Sequence, residues 1–346
     1  MFSALTPGGN SEGENRPYNS PVRRAFLLLA FLLAAAPGLC QTPPEEPPTY
    51  TESVGSEYVM LPVVVLDRKG RFVEGLERKD FQVRVNETSV LVDTFERDDN
   101  APASFAFLVD VSGSMEIAGK LENTKRAIRE IVGSRRPGDD YALFAFSEGE
   151  VRLISEFSSD PKGLLKGLAE LAPSGQTALF DAVAATPSKM LHGKNSKRAI
   201  LLFTDGVDNA SEHSALEMAE ILQQVSTPVY AIGMKNVVYD LLTEGQRREL
   251  LIDNLKILAS SSGGKMFLVG GEEDLKPIAA KINAEVRKQY LLGFSPSGRG
   301  EVKYRVVIVS VAKPGRWTVR ARRGYRGTAP VAVASRQLTG KGKGGF

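Results

Sequence analysis

The sequence predicts an α/β fold with a doubly wound, mostly parallel sheet flanked by helices, together with a small β-sandwich. Over residues 99–288, continuously apolar segments alternate with amphipathic helical segments, which is typical of parallel strands buried on both faces. The flanking segments 55–98 and 289–326 show β-type runs instead. Because so small a sheet rarely folds alone, we expect these two segments to pair into one sandwich. The alternative is two separate β extensions packed on the edges of the central sheet.

The N-terminus is typical of an export signal. Arg23 and Arg24 precede the apolar run Ala25–Ala36, and small residues follow that run. A positive flank, a short apolar core and small residues at the exit characterise secretory signal peptides, and the run is too short to span a bilayer comfortably. We therefore expect residues 1–40 to be a signal peptide with an extended polar start, and the protein to be secreted or periplasmic. An uncleaved membrane anchor is the alternative.

The N-terminal β segment follows a linker. Residues 41–54 are rich in proline and acidic residues, a composition that predicts an extended linker. In the segment 55–98, Phe81, Val83 and Val85 alternate with polar residues, and that period of two predicts β-strands.

The α/β domain is predicted from apolar runs and helical periodicity in turn. Residues 121–134, for example, place Ala127, Ile128, Ile131 and Val132 on one face of a helix. The predicted strands are 104–110, 141–147, 198–206, 228–234 and 264–269. The predicted helices are 121–134, 161–171, 178–191, 214–224, 253–262 and 273–288.

The remaining composition limits the possible chemistry. Residues 327–346 are Gly-rich and basic without amphipathic period, so we expect a disordered tail rather than a nucleic-acid-binding arm. The only cysteine, Cys40, lies in the predicted leader, which excludes a disulfide, a cysteine metal site or a thiol nucleophile from the predicted folded part. The net charge of +3 does not by itself indicate a nucleic-acid or membrane partner.

Three predicted loops of the α/β domain carry oxygen-bearing side chains. Asp110, Ser112 and Ser114 come at the end of the first strand, Thr177 opens a helix, and Asp205 follows the apolar run Ala199–Phe203. Alternate residues of extended backbone point the same way, and ligands of doubly wound sheets bind at the carboxyl ends of the strands. An all-oxygen set selects a hard cation. We expect Mg²⁺, with Mn²⁺ or Ca²⁺ as possible substitutes.

These residues carry a family resemblance. Asp110-Val-Ser-Gly-Ser114, Thr177 and Thr204-Asp205-Gly206, in this order, resemble the metal-ion-dependent adhesion site of von Willebrand factor A (VWA) domains. The stretches GQTALFDAV and LLFTDGVDN are similar to that family beyond the ligands, and the flanking segments resemble, more loosely, VWA-related exported proteins of acidobacteria. The resemblance implies direct metal ligation by Ser112, Ser114 and Thr177. It implies that Asp110 and Asp205 act mostly through water and hydrogen bonds.

The resemblance also implies a function. With its carboxylates held behind the hydroxyls, the metal keeps an open coordination position that takes an Asp or Glu side chain of a protein partner. We expect an exported binding protein that is not an enzyme and has no nucleic-acid partner and no membrane span after signal cleavage. The alternatives are a structural envelope scaffold with a closed metal site and an Mg²⁺-dependent hydrolase. A phosphatase of the haloacid dehalogenase type needs an acid where Ser112 stands.

Overall fold

The computed structural model describes residues 58–223, 225–234, 245–295 and 304–326. The predicted signal peptide, linker and C-terminal tail lie outside these residues. No helix within these ranges combines the length and apolar character needed to cross a membrane.

The described residues form strands and helices whose bounds are as follows. The strands are β1 (Val59–Leu66), β2 (Phe81–Val85), β3 (Thr88–Val90), β4 (Thr94–Glu96), β5 (Ala103–Asp110), β6 (Asp140–Ser147), β7 (Glu150–Ser158), β8 (Lys197–Thr204), β9 (Val229–Met234), β10 (Met266–Val269), β11 (Tyr290–Phe294), β12 (Tyr304–Val311), β13 (Thr318–Arg320) and β14 (Gly324–Arg326). The α-helices are α1 (Lys120–Gly133), α2 (Lys162–Glu170), α3 (Leu179–Ala185), α4 (Ala215–Gln223), α5 (Gly245–Ser261) and α6 (Leu275–Arg287).

A six-stranded sheet with the order β10-β9-β8-β5-β6-β7 is the centre of the α/β domain. Its strands run parallel except for β7, which pairs antiparallel with β6 at the edge. The predicted doubly wound, mostly parallel sheet is therefore confirmed. The edge strand β7 was not predicted, because its half-exposed residues lack the continuous apolar run that identifies the buried strands.

Helices cover both faces of this sheet. Alternate residues of β5 enter two different apolar clusters: Phe105 and Phe107 pack with α1, α2 and α6, whereas Ala106 and Leu108 pack with α3, α4 and α5. Every residue of β5 is buried, which explains why its sequence is apolar without alternation.

Two helices differ from their predicted bounds by more than two residues at one end. The helix expected over 178–191 is interrupted, because α3 ends at Ala185 and a 3-10 segment, Pro187–His192, follows. Pro187 has no amide hydrogen to donate to the helix. Conversely, α5 begins at Gly245, ahead of the predicted start at 253.

The β-sandwich consists of two four-stranded sheets, β13-β1-β11-β4 and β14-β12-β2-β3. Each sheet joins strands from before and after the α/β domain: β1 pairs with β11 and β13, and β2 pairs with β12. One apolar cluster includes Leu61 and Val63 of β1, Val83 of β2 and Leu292 of β11. The predicted sandwich, built from segments on both sides of the α/β domain, is confirmed.

Buried ion pairs lie where the two parts meet. Helix α6 continues almost directly into β11, and Arg287 near this junction binds Asp139 at 2.7 Å, with side chains that are 3% and 0% exposed. Glu285 of α6 binds Arg320 of β13. The same Arg320 donates to the backbone oxygen of Gly263, 3.2 Å away, so it links the sandwich to two parts of the α/β domain.

Candidate metal centre

Asp110 is the last residue of the central strand β5, and its carboxylate is held on both sides. Asp110 Oδ1 accepts a hydrogen bond from the Ser112 amide at 2.9 Å, and Oδ2 accepts one from the Thr204 hydroxyl at 2.7 Å. Thr204 ends β8, the parallel neighbour of β5, so sheet register brings these two side chains together. The carboxylate is completely buried and serves to orient the loops around it.

Burial changes the acidity of Asp110. Loss of hydration raises its pKa to about 6, although the hydrogen bonds from Ser112 and Thr204 act in the opposite direction. The nearby carboxylate of Asp205 adds to the increase. A cation next to this buried carboxylate would stabilise its ionised form.

Ser112 and Ser114 place two hydroxyls side by side. Ser112 extends from β5, and Ser114 lies in the short 3-10 segment Gly113–Gly119. Their Oγ atoms are 3.2 Å apart. Adjacent ligands of an octahedral Mg²⁺ with bonds of 2.0–2.1 Å lie about 3 Å from each other, so this pair suits two neighbouring coordination positions.

Thr177 precedes α3, and its loop is hydrogen-bonded to both other loops. The neighbouring Gly175 oxygen accepts from the Gly113 amide at 3.0 Å. Thr177 itself donates its amide to Asn209 Oδ1 at 2.9 Å, and its oxygen accepts from the amides of Asn209 and Ala210. The three predicted loops therefore form one hydrogen-bonded unit.

Asp205 follows β8 and makes an ion pair within the predicted site. Its Oδ2 lies 2.6 Å from the Lys120 ammonium, and the two side chains are 6% and 3% exposed. Its Oδ1 accepts from the Val207 amide at 3.2 Å. Next to it, Gly206 has a φ of +83°, a conformation that favours glycine.

Sequence reasoning missed three residues of this unit. Asn209 bonds Thr177 as described, and Asp208, which the motif left without a role, accepts from the Leu179 amide at the start of α3 at 3.1 Å. Both follow the Thr204-Asp205-Gly206 motif closely, and that proximity was the available signal. Lys120 gave no comparable signal, because its partner is 85 residues away in sequence.

The donor set suits a hard divalent cation. The predicted ligands offer hydroxyl and carboxylate oxygens, which Mg²⁺, Mn²⁺ and Ca²⁺ accept. Among the described residues, no group of three or more His, Cys, Asp or Glu side chains is arranged to hold a metal. Any cation at this edge of the sheet would thus depend on the serine and threonine hydroxyls.

Comparison with known proteins finds a family model that matches part of this region. The model of the von Willebrand factor type A domain matches residues 105–207. That range begins in β5 and ends just after Asp205, so it contains all five predicted ligands.

Individual relatives are more distant. An uncharacterised protein of Borreliella burgdorferi is 27% identical over 143 residues, which cover 39% of this chain and 41% of that protein. A von Willebrand factor type A structure from Catenulispora acidiphila is 14% identical, with a TM-score of 0.43, and covers 80% of this chain and 76% of that one. Proximal thread matrix protein 1 from the mussel byssus, solved with a zinc-occupied MIDAS motif, is 17% identical, with a TM-score of 0.45, and covers 58% of this chain and 49% of that one.

Proposed function

We propose that this protein binds a partner protein through a divalent metal, as the match of residues 105–207 to the von Willebrand factor type A domain model suggests. Ser112, Ser114 and Thr177 hold the metal, and Asp110 and Asp205 orient the site and supply negative charge. The metal's open position takes an Asp or Glu side chain of the partner. The chain acts as an exported binding protein rather than as an enzyme, with Mg²⁺ as the metal and Mn²⁺ or Ca²⁺ as substitutes.

One observation carries this proposal: the three loops meet, the hydroxyls of Ser112 and Ser114 lie side by side, and hydrogen bonds from the protein hold the Asp110 carboxylate in place. The Ser112 and Ser114 oxygens are 3.2 Å apart, whereas both oxygens of Asp110 are already engaged by the protein. A metal held mainly by neutral hydroxyls retains most of its charge. It therefore attracts a further anionic oxygen, which is what binding an acidic side chain requires.

Titration calorimetry of the full chain with Mg²⁺ and with Mn²⁺ tests the metal site. We expect binding by the wild type and none by the Ser112→Ala/Asp205→Ala variant. The matched control is Ser188→Ala/Asp160→Ala, which changes the same residue types at exposed positions outside the site and should bind like the wild type. Equal binding by all three proteins would refute the assignment of these ligands.

A second experiment tests the open position. With Mn²⁺ bound, the number of coordinated waters can be counted by electron spin-echo spectroscopy in deuterated water. We expect acetate, the smallest analogue of an Asp side chain, to displace water from the metal. A count that acetate leaves unchanged would indicate a closed structural site and would favour the scaffold alternative.

A further inference from the structure

Lys120 occupies a position that is unfavourable for a lysine. It is the first residue of α1, where the positive end of the helix dipole repels a cation. It is also buried, and removing an ammonium from water carries a large penalty unless the charge is paired. A lysine here therefore needs a specific compensating interaction.

The compensation comes from the candidate metal centre itself. Lys120 Nζ donates to Asp205 Oδ2 at 2.6 Å and to the backbone oxygen of Ser114 at 3.1 Å. Both acceptors belong to residues of the predicted ligand set. The ammonium thus already places one positive charge against the carboxylate that a divalent metal would also use.

The backbone before Lys120 directs it towards this centre. Ala118 and Gly119 have φ values of +53° and +67°, so the 3-10 segment ends in two consecutive left-handed residues before α1 begins. Such a conformation is unfavourable for alanine. Because these two residues turn the chain back on itself, α1 begins near Ser114. The Lys120 ammonium can therefore reach the backbone oxygen of Ser114, six residues earlier.

We propose that Lys120 is a built-in cation that stabilises the metal-free centre and lowers its affinity for the divalent metal. This inference rests on the proposed function. The ammonium and the metal share Asp205 and repel each other in a buried environment, where charges interact strongly. A carboxylate arriving from a partner offsets this repulsion. Metal and acidic ligand consequently bind with positive cooperativity, each raising the affinity for the other.

The test is a Mn²⁺ titration of the full chain with Lys120→Met, which keeps an unbranched side chain one atom shorter and removes its charge. We expect Lys120→Met to bind Mn²⁺ at least about tenfold more tightly than the wild type. Lys120→Arg keeps the charge and should remain within a few-fold of the wild type. The melting temperature supplies a second readout: without metal it should be lower in Lys120→Met than in the wild type, and saturating Mn²⁺ should raise it more.

The outcomes separate this inference from the proposed function. A folded Lys120→Met that binds Mn²⁺ no more tightly than a binding wild type overturns the role of Lys120 and leaves the metal site standing. Binding by Lys120→Met but not by the wild type supports the role of Lys120 and refutes the proposed function for the unliganded protein. Absence of binding in both proteins overturns both. If Lys120→Met does not fold without metal, Lys120→Gln, which keeps a hydrogen-bond donor, takes its place.

Discussion

At the carboxyl ends of the central strands, the spacing of residues in the sequence predicts the position of some side chains but not of others. The alternation of Asp110, Ser112 and Ser114 predicts that they point the same way if the backbone stays extended. In the structure β5 ends at Asp110 and Ser114 lies in the 3-10 segment that follows, so the turn after Ser112 brings the two hydroxyls within 3.2 Å of each other. Lys120 reaches the same place through two left-handed residues, and no periodic pattern encodes such a reversal.

At the amino ends of the strands, Asp139 directly precedes β6, and its charge stabilises the fold. Burial opposes its ionised form, but the Arg287 guanidinium and the amides of Arg136 and Ala103 outweigh burial and hold its pKa below the ordinary value of 3.8. A lowered pKa means that the stabilisation is complete above the pKa of the unfolded chain. It is lost as the pH falls through the folded-state value.

We predict that Asp139→Asn destabilises the protein by about 3–5 kcal/mol at neutral pH, because Arg287 is left buried without its partner. The variant should also lose part of the acid dependence of stability, up to about 1.4 kcal/mol per pH unit. Urea unfolding between about pH 2 and pH 7 measures both effects. Asp253→Asn, which removes an exposed ion pair with Lys256, is the control and should change stability by less than about 1 kcal/mol. An acid slope identical to that of the wild type would contradict the role of Asp139.

Among the elements, the buried strands were the most predictable and the edges the least. The strands β5, β6, β8 and β9 are buried along nearly their whole length because helices cover both faces, and their central residues are apolar. Such apolar runs can be recognised from the sequence alone. The strand β7 is exposed along much of its length, and only pairing with β6 defines it. The shortening of α3 was foreseeable from Pro187, whereas the early start of α5 was not, since the sequence of residues 245–248, Gly-Gln-Arg-Arg, contains no apolar side chain.

In the turn between α5 and β10, Gly264 has no room for a side chain. A Cβ added to Gly264 would lie 1.9 Å from the backbone oxygen of Val229, the first residue of β9. Only the absence of a side chain lets the chain pass so close to the neighbouring strand.

We predict that Gly264→Ala destabilises the protein by about 1–3 kcal/mol, because the backbone of β9 must move to accommodate the methyl group. Thermal and urea unfolding measure this change. Gly133→Ala, in α1 with nothing within 4 Å of the added Cβ, is the matched control. There alanine should be neutral or slightly stabilising, since it favours a helix. Equal effects of the two substitutions would show that the close approach to Val229 is unimportant.

At the scale of the whole molecule, the α/β domain and the sandwich are joined by more than the chain. Arg320 of β13, in the sandwich, bonds both Glu285 of α6 and Gly263 in the α/β domain. These contacts are buried or half-buried, so unfolding of either part exposes unpaired charges of the other. The sequence predicted that both parts exist, but it could not predict these pairs, because each joins residues distant in the chain.

We predict that the protein unfolds in a single calorimetric transition, in which the calorimetric and van't Hoff enthalpies agree. Arg320→Met should lower the transition temperature by several degrees or split the transition, because Glu285 loses its closer partner and keeps only Lys265, 3.6 Å away. Arg126→Met, which removes an exposed pair with Glu272, should have little effect. Two separate transitions in the wild type would show that the two parts are energetically independent.

The pairing of an N-terminal strand with C-terminal strands also affects how the chain folds during synthesis. Strand β1 leaves the ribosome early, yet Val59 pairs with Phe294 and Val64 with Arg320. Until those late segments are made, β1 presents two unpaired edges, which promote association between chains. The α/β domain, whose described strands lie within 103–269, is complete earlier and can fold first. Production of the protein is therefore expected to depend on chaperones that shield β1 during this interval, and a ribosome stalled before β11 should yield a chain with a folded middle and an aggregation-prone start.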